Sequence, residues 1–138
     1  MITFADTKNS DLISLVNKFS EKTDFKANKN AFLISDKKQE SEAGFDLYVI
    51  PFDYGKCNNQ KTVTYSLTNN KADVVLINIQ NHLENKSFEI MTDANMGRVF
   101  INNKNKIDVV NVLMCAAVFY GLGMDLFEIL DVLNSILK

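Results

Sequence analysis

The feature that most constrains this chain is residues 107–122, where Asp108 and Asn111 interrupt an otherwise apolar run. Read as a helix, it is apolar on nearly every side. A helix without a polar face has to be surrounded by the rest of its protein. Its sixteen residues would span about 24 Å, short of the roughly 30 Å hydrocarbon layer of a bilayer. The run therefore predicts a buried core helix over residues 108–120, stopped by Gly121 and Gly123. Val109, Val112, Leu113, Ala116, Ala117 and Phe119 are expected to be mostly buried there.

What wraps this helix has to come from 138 residues, 46% hydrophobic and 23% charged. That is globular composition, and a chain of this length can bury about 68–70% of its unfolded surface. We read residues 1–138 as a single domain. Fifteen Lys and Arg against seventeen Asp and Glu give a net charge of −2, with a pI near 5.3. Nucleic-acid binding relies on clustered cations, and Arg98 is the only arginine, so nucleic acid is not an expected partner. No membrane span is expected either. Residues 1–20 include Asp6 and Asp11 and no uninterrupted apolar core, so no secretory signal is visible. Cys57 and Cys115 are far apart and suggest no disulfide scaffold. Cys115 lies in the apolar run and reads as a small core residue. Together these predict a cytoplasmic protein.

The periodicities place the other elements. A short strand is expected over residues 2–5, then a helix over 9–21 capped by Asn9 or Ser10, with Leu12, Ile13, Leu15, Val16 and Phe19 on one face. Polar residues 22–30 read as a loop. Strands are expected at 31–35 and 45–52 around a charged loop, 36–42, with Pro51 at an edge or strand end. Residues 53–60 read as a turn. Residues 62–67 alternate, and 73–79 form a richer apolar run that suits a strand buried on both faces. Residues 87–91 and 98–102 read as a hairpin, with Gly97 supplying a turn conformation. Asp125 is an expected N-cap, with Glu128 three residues on, for a last helix striped by Leu126, Ile129, Leu130, Leu133, Ile136 and Leu137. The expected class is α+β or mixed α/β: a small sheet, mostly antiparallel in the second half, packed on the buried helix 108–121 and an amphipathic C-terminal helix.

Few residue patterns carry chemistry. His82 is the only histidine, with no cysteine near it, so no metal site is expected. No Gly-x-Ser-x-Gly elbow occurs, and no catalytic residue is assigned. Asp6, Asp73 and Asp108 lie at element boundaries, where aspartate commonly caps or turns the chain. Neither glycine-rich phosphate fingerprint is present, and Gly121 and Gly123 stand as a pair between two helices. With five glycines and one arginine, the chain is poorly equipped to hold ATP phosphates unaided.

The order of elements from residue 61 onward is more specific. Thr64 and Tyr65 precede Ala72 and Asp73 at the head of a strand. Phe88 and Ile90 lie in a hairpin arm, and Asn111 opens an alanine-bearing helix that ends in Leu122 and Gly123. Over residues 61–137 this resembles the C-terminal half of the central domain of the Mur ligases and their folylpolyglutamate and cyanophycin relatives. There a Thr-Tyr-Gly stretch leads into an Ala-Asp strand, and a Gly-x-His-Asn-x-x-Asn motif opens a helix ending in Leu-Gly. Phe4, Ala5 and Asp6 before a helix weakly resemble that family's Asn-x-Asp-Asp strand end. The resemblance implies an ATP-dependent amide-bond ligase lineage acting on amino acid or peptide substrates. It implies that Asn111, with Asp108 beside it, lies near a nucleotide base; read from the residues alone, Asn111 caps or hydrogen-bonds the turn that enters the buried helix.

The departures define what the chain lacks. Ile107 stands where the family has its His, Asp108 where it has its first Asn, and Ser66 where it has Gly. The family's P-loop, metal-binding Glu and carbamylated Lys have no counterpart. The chain is thus expected to be a non-catalytic remnant, a partner subunit or a segment of a larger ligase. ATP and magnesium would enter only through a partner chain, and the isolated chain should not hydrolyse ATP. A different reading is a small acidic adaptor or secretion chaperone. In both cases a protein partner is expected, including a second copy of this chain, because the C-terminal stripe and the sheet edges need covering.

Overall fold

The computed structural model describes residues 3–5, 9–23, 31–34, 47–54 and 61–138. Asp6, Cys57 and the expected segments at 24–30, 36–42 and 55–60 lie outside them. The α+β expectation holds. Among the described residues seven strands form one sheet: β1 (Thr3–Ala5), β2 (Ala31–Ile34), β3 (Leu47–Pro51), β4 (Thr62–Ser66), β5 (Val74–Asn81), β6 (Asn85–Met91) and β7 (Met96–Asn102). They lie side by side in chain order. The ladders from β1 to β5 are parallel, and β5–β6 and β6–β7 are antiparallel. A single turn of 3-10 helix, Phe52–Tyr54, follows β3, so Pro51 marks a strand end as expected.

The β4–β5 connection has only residues 67–73, whereas parallel neighbours usually need a dozen or more for the crossover. The short return works because the two strands overlap only at Tyr65 opposite Val74 and Ser66 opposite Val75. Asp73 secures it. Its Oδ2 accepts from the Thr64 amide at 2.9 Å and the Thr64 hydroxyl at 3.1 Å, and its own amide donates to Thr64 Oγ1 at 3.1 Å.

β5 is buried on both faces only at Val74, Val75 and Leu76. The register shifts between Ile77 and Gln80, and Asn78 takes a left-handed φ of 57°. This is a bulge, which bends a strand, and asparagine tolerates the conformation better than most residues. Ile77 is consequently half-buried and residues 78–81 are exposed. The hairpin turn also differs from expectation. β7 begins at Met96, so Gly97 lies inside a strand and is not among the residues of positive φ. Its smallness serves packing instead, because a Cβ there would collide with Leu130 Cδ1.

Among the described residues three α-helices cover one face: α1 (Ser10–Lys22), α2 (Val109–Gly121) and α3 (Leu126–Ile136). α2 lies over β3, β4 and β5 against α1 and α3, while α3 lies against β7 and α1. The central placement of α2 is what its all-round apolarity demanded. Val112, Leu113, Ala116 and Ala117 have no exposed surface and Phe119 has 2%. Val109 is only half-buried, because the first helical turn stands at the rim of the core. Gly123, at φ 96°, ends α2. Its amide donates to the Tyr120 carbonyl, and that of Met124 to the Phe119 carbonyl, each at 3.0 Å, the double bond of a Schellman stop. Asp125 caps α3 through the Phe127 amide at 3.0 Å. The α3 stripe is covered by its own chain: Leu126, Leu130 and Leu133 are 2%, 5% and 0% exposed. β7, α1 and α2 enclose these positions.

Candidate functional site

α1 and α2 run in the same direction. Asn9 and Asn111 meet at one end of the pair, with Asn9 Nδ2 donating to Asn111 Oδ1 at 2.7 Å. Phe19 and Phe119 stack toward the other end, with ring centroids 4.0 Å apart at 22°. Asn9 is the N-cap of α1, its Oδ1 accepting from the Leu12 amide at 3.1 Å. One side chain thus caps its own helix and ties it to the first turn of the next. Asp108 is the N-cap of α2 and accepts from the Val110 amide at 3.0 Å. Asn111 is 6% exposed, whereas Asp108 is exposed.

Chain direction decides what this end faces. α1 follows β1, and α2 follows β7, which runs the same way as β5 because two antiparallel steps separate them. Both helix N-termini therefore lie beyond the carboxyl ends of the parallel strands, in a sheet whose strands follow chain order without the reversal that makes the ligand crevice of doubly wound folds. Helix N-termini bring unpaired N–H groups and the positive ends of the helix dipoles. Asp108 and Asn111 are brought together there, as neighbours one turn apart must be. Asn9 was legible only as a cap. Its 102-residue separation from Asn111 leaves no local signal of the contact.

The opposite end of the sheet holds an open cleft of about 420 Å³ lined by Lys61, Thr62, Asp73, Tyr120, Gly123 and Met124 among others. The Tyr120 hydroxyl donates to Asp93 Oδ1 at 3.3 Å. Partial burial pushes the Tyr120 phenol above its ordinary value. The charge and hydrogen bond of Asp93 and the charge of Asp73 add to this. This cleft borders the amino ends of β4 and β5, away from the asparagine pair. Asp73 serves there as the boundary residue expected, engaged by Thr64.

A third polar group lies on the sheet face away from the helices. Arg98 pairs with Glu89 at 2.8 Å and donates to Ser87 Oγ at 2.9 Å. Asn78 also donates to Glu89, at 2.9 Å. The lone arginine is thus bound within its own sheet. His82 is exposed in the β5–β6 turn, with Nε2 3.4 Å from Ser87 Oγ. Ser87 is 1% exposed, so the pair presents no accessible nucleophile. Cys115 has no exposed surface, and burial drives its thiol far above the ordinary range. Among the described residues no three His, Cys, Asp or Glu side chains gather as a metal site, and no helix is long and apolar enough to cross a membrane.

No family model and no curated protein matches the sequence. Solved structures do match in fold. A MurF from Acinetobacter baumannii superposes with a TM-score of 0.51 at 15% identity, covering 64% of this chain and 20% of that one. A UDP-N-acetylmuramoyl-L-alanyl-D-glutamate–2,6-diaminopimelate ligase superposes with a TM-score of 0.53 at 17% identity, covering 76% of this chain and 27% of that one. The chain therefore spans a fifth to about a quarter of the length of these ligases. At such identities the likeness is one of fold, and in fold the chain resembles part of a Mur ligase.

Proposed function

We propose that this chain is a reduced unit of the Mur-ligase type that does not ligate by itself, and that its nucleotide-facing end carries Asn9, Asp108 and Asn111. The supporting observation is the Asn9–Asn111 bond. It joins two parallel helix N-termini beyond the carboxyl ends of the parallel strands and so brings the unpaired N–H groups of both to one place. A side-chain amide carries the adjacent donor and acceptor that a purine edge requires; Asn9 engages its own with Asn111 and the Leu12 amide, so in this reading Asn111 is the residue that meets the base. Asn111 is the position that matches the family's base-proximal asparagine.

The same residues do not fit a metal–nucleotide as a whole. Phosphates need a glycine-lined cradle or free cations. Arg98 is held by Glu89 and Ser87, and the Asp108 carboxylate caps α2. We therefore assign no phosphoryl or ligation step to this chain. In this reading the phosphate- and metal-holding groups come from a protein partner, in the cytoplasm.

The test is titration of the isotope-labelled chain with adenosine and with AMP, followed by amide chemical shifts. The expected result is a shift confined to residues 9–12 and 108–111, abolished by Asn111→Ala, with no phosphate release from magnesium–ATP. Absence of any shift at that end would sink the proposal. So would magnesium-dependent turnover lost on Asp108→Ala or Asn111→Ala.

A further inference from the structure

We infer that Asn134, on α3, closes the free edge of β7 against pairing with a second copy of this chain. Among the described residues β7 is last in the sheet and pairs with β6 on one side only. An edge strand presents a row of unpaired N–H and C=O groups, a template for another strand. Residues 96–102 contain Val99, Phe100 and Ile101, one charge and no proline, and Met96 and Phe100 are 49% and 47% exposed. Short β-prone segments with little charge are those that stack between chains.

The Asn134 amide occupies this edge as a peptide group would. Its Oδ1 accepts from the Phe100 amide at 2.9 Å, and its Nδ2 donates to the Arg98 carbonyl at 3.0 Å. The carbonyl of one residue and the amide two residues on are the pair that a single residue of an adjoining parallel strand would take. The Leu137 carbonyl then accepts from the Asn102 amide at 3.0 Å. Nothing else calls for asparagine at 134. It stands off the buried stripe of α3, in a helix interior where asparagine is a weaker former than Ala or Leu.

The occupant excluded is a second copy because the edge complements itself. About a two-fold axis at Val99, Arg98 of one chain would face Phe100 of the other, so no like charges meet. Asn134→Ala frees both β7 groups. It should speed Phe100 amide exchange about tenfold or more and produce concentration-dependent sedimentation that the wild type lacks over the same range. Phe100→Pro, which removes the edge N–H, should reverse that association when added to Asn134→Ala. Asn134→Asp keeps an acceptor and adds a charge, so it should sediment as the wild type does. Where the alanine variant does not fold, Asn134→Ser is held to the same outcome. Wild-type sedimentation of the alanine or serine variant overturns the inference, with or without faster exchange. So does association that Phe100→Pro leaves intact.

Discussion

Phe119→Ala tests the helix pair that positions the asparagine site. Phe119 is 2% exposed and its ring stacks on that of Phe19, which has no exposed surface. Truncating a buried phenylalanine to alanine costs about 3–5 kcal/mol, the transfer term plus the cavity left behind. Stacking supplies about 0.5–1.5 kcal/mol of the loss as a pairwise term. Phe19→Ala should therefore cost a similar amount, and the double variant less than the sum, since both changes empty one shared space. Urea unfolding followed by circular dichroism measures this, with an unchanged slope showing that stability alone has moved. The stack lies eight residues from Asn111 along α2, about 12 Å of helix. Loosening it should therefore also weaken protection of the Leu12 amide, which the Asn9 cap holds. A loss below about 1 kcal/mol for Phe119→Ala, the scale of an ordinary surface change, or strict additivity with Phe19→Ala, would refute parallel docking of α1 on α2.

Other expectations test separate parts of the molecule. Gly121→Ala should destabilise despite a helix-propensity gain of about 1 kcal/mol. Its Cβ would meet Val63 Cγ2 at 2.8 Å and Leu47 Cδ1 at 2.9 Å, and overpacking costs about 1–3 kcal/mol, so thermal unfolding should move down. In a Cys57→Ser background, the Cys115 thiol should react with a disulfide reagent only as the protein opens, and added urea should accelerate labelling, because burial disfavours the thiolate. Tyr120 is raised above its ordinary value, so its neutral phenol is the form that the fold favours. That stabilisation is fully present below the unfolded tyrosine value of about 10 and is lost as pH rises through the folded value. Tyr120→Phe should flatten this alkaline limb in pH-dependent unfolding.

What could be read from the residues was whatever local physics decides. The burial of α2 followed from its apolarity on every side, and the α3 stripe from its period. The caps Asp108 and Asp125 and the stop at Gly123 followed from backbone groups that a helix end leaves unpaired. Each depends on neighbours within about four residues along the chain. Tertiary structure decided the rest. The strand runs did not reveal that β1 to β5 pair in parallel, because alternation says which face is buried and not which strand lies alongside. Gly97 was read as a turn residue because glycine permits positive φ, yet packing against Leu130 is what requires it. The amide bond from Asn9 to Asn111 and the closure of β7 by Asn134 join residues 102 and 34–36 positions apart. An asparagine side chain has the same polarity at a cap, across two helices or along a strand edge, and only the assembled fold selects which backbone groups stand within its reach.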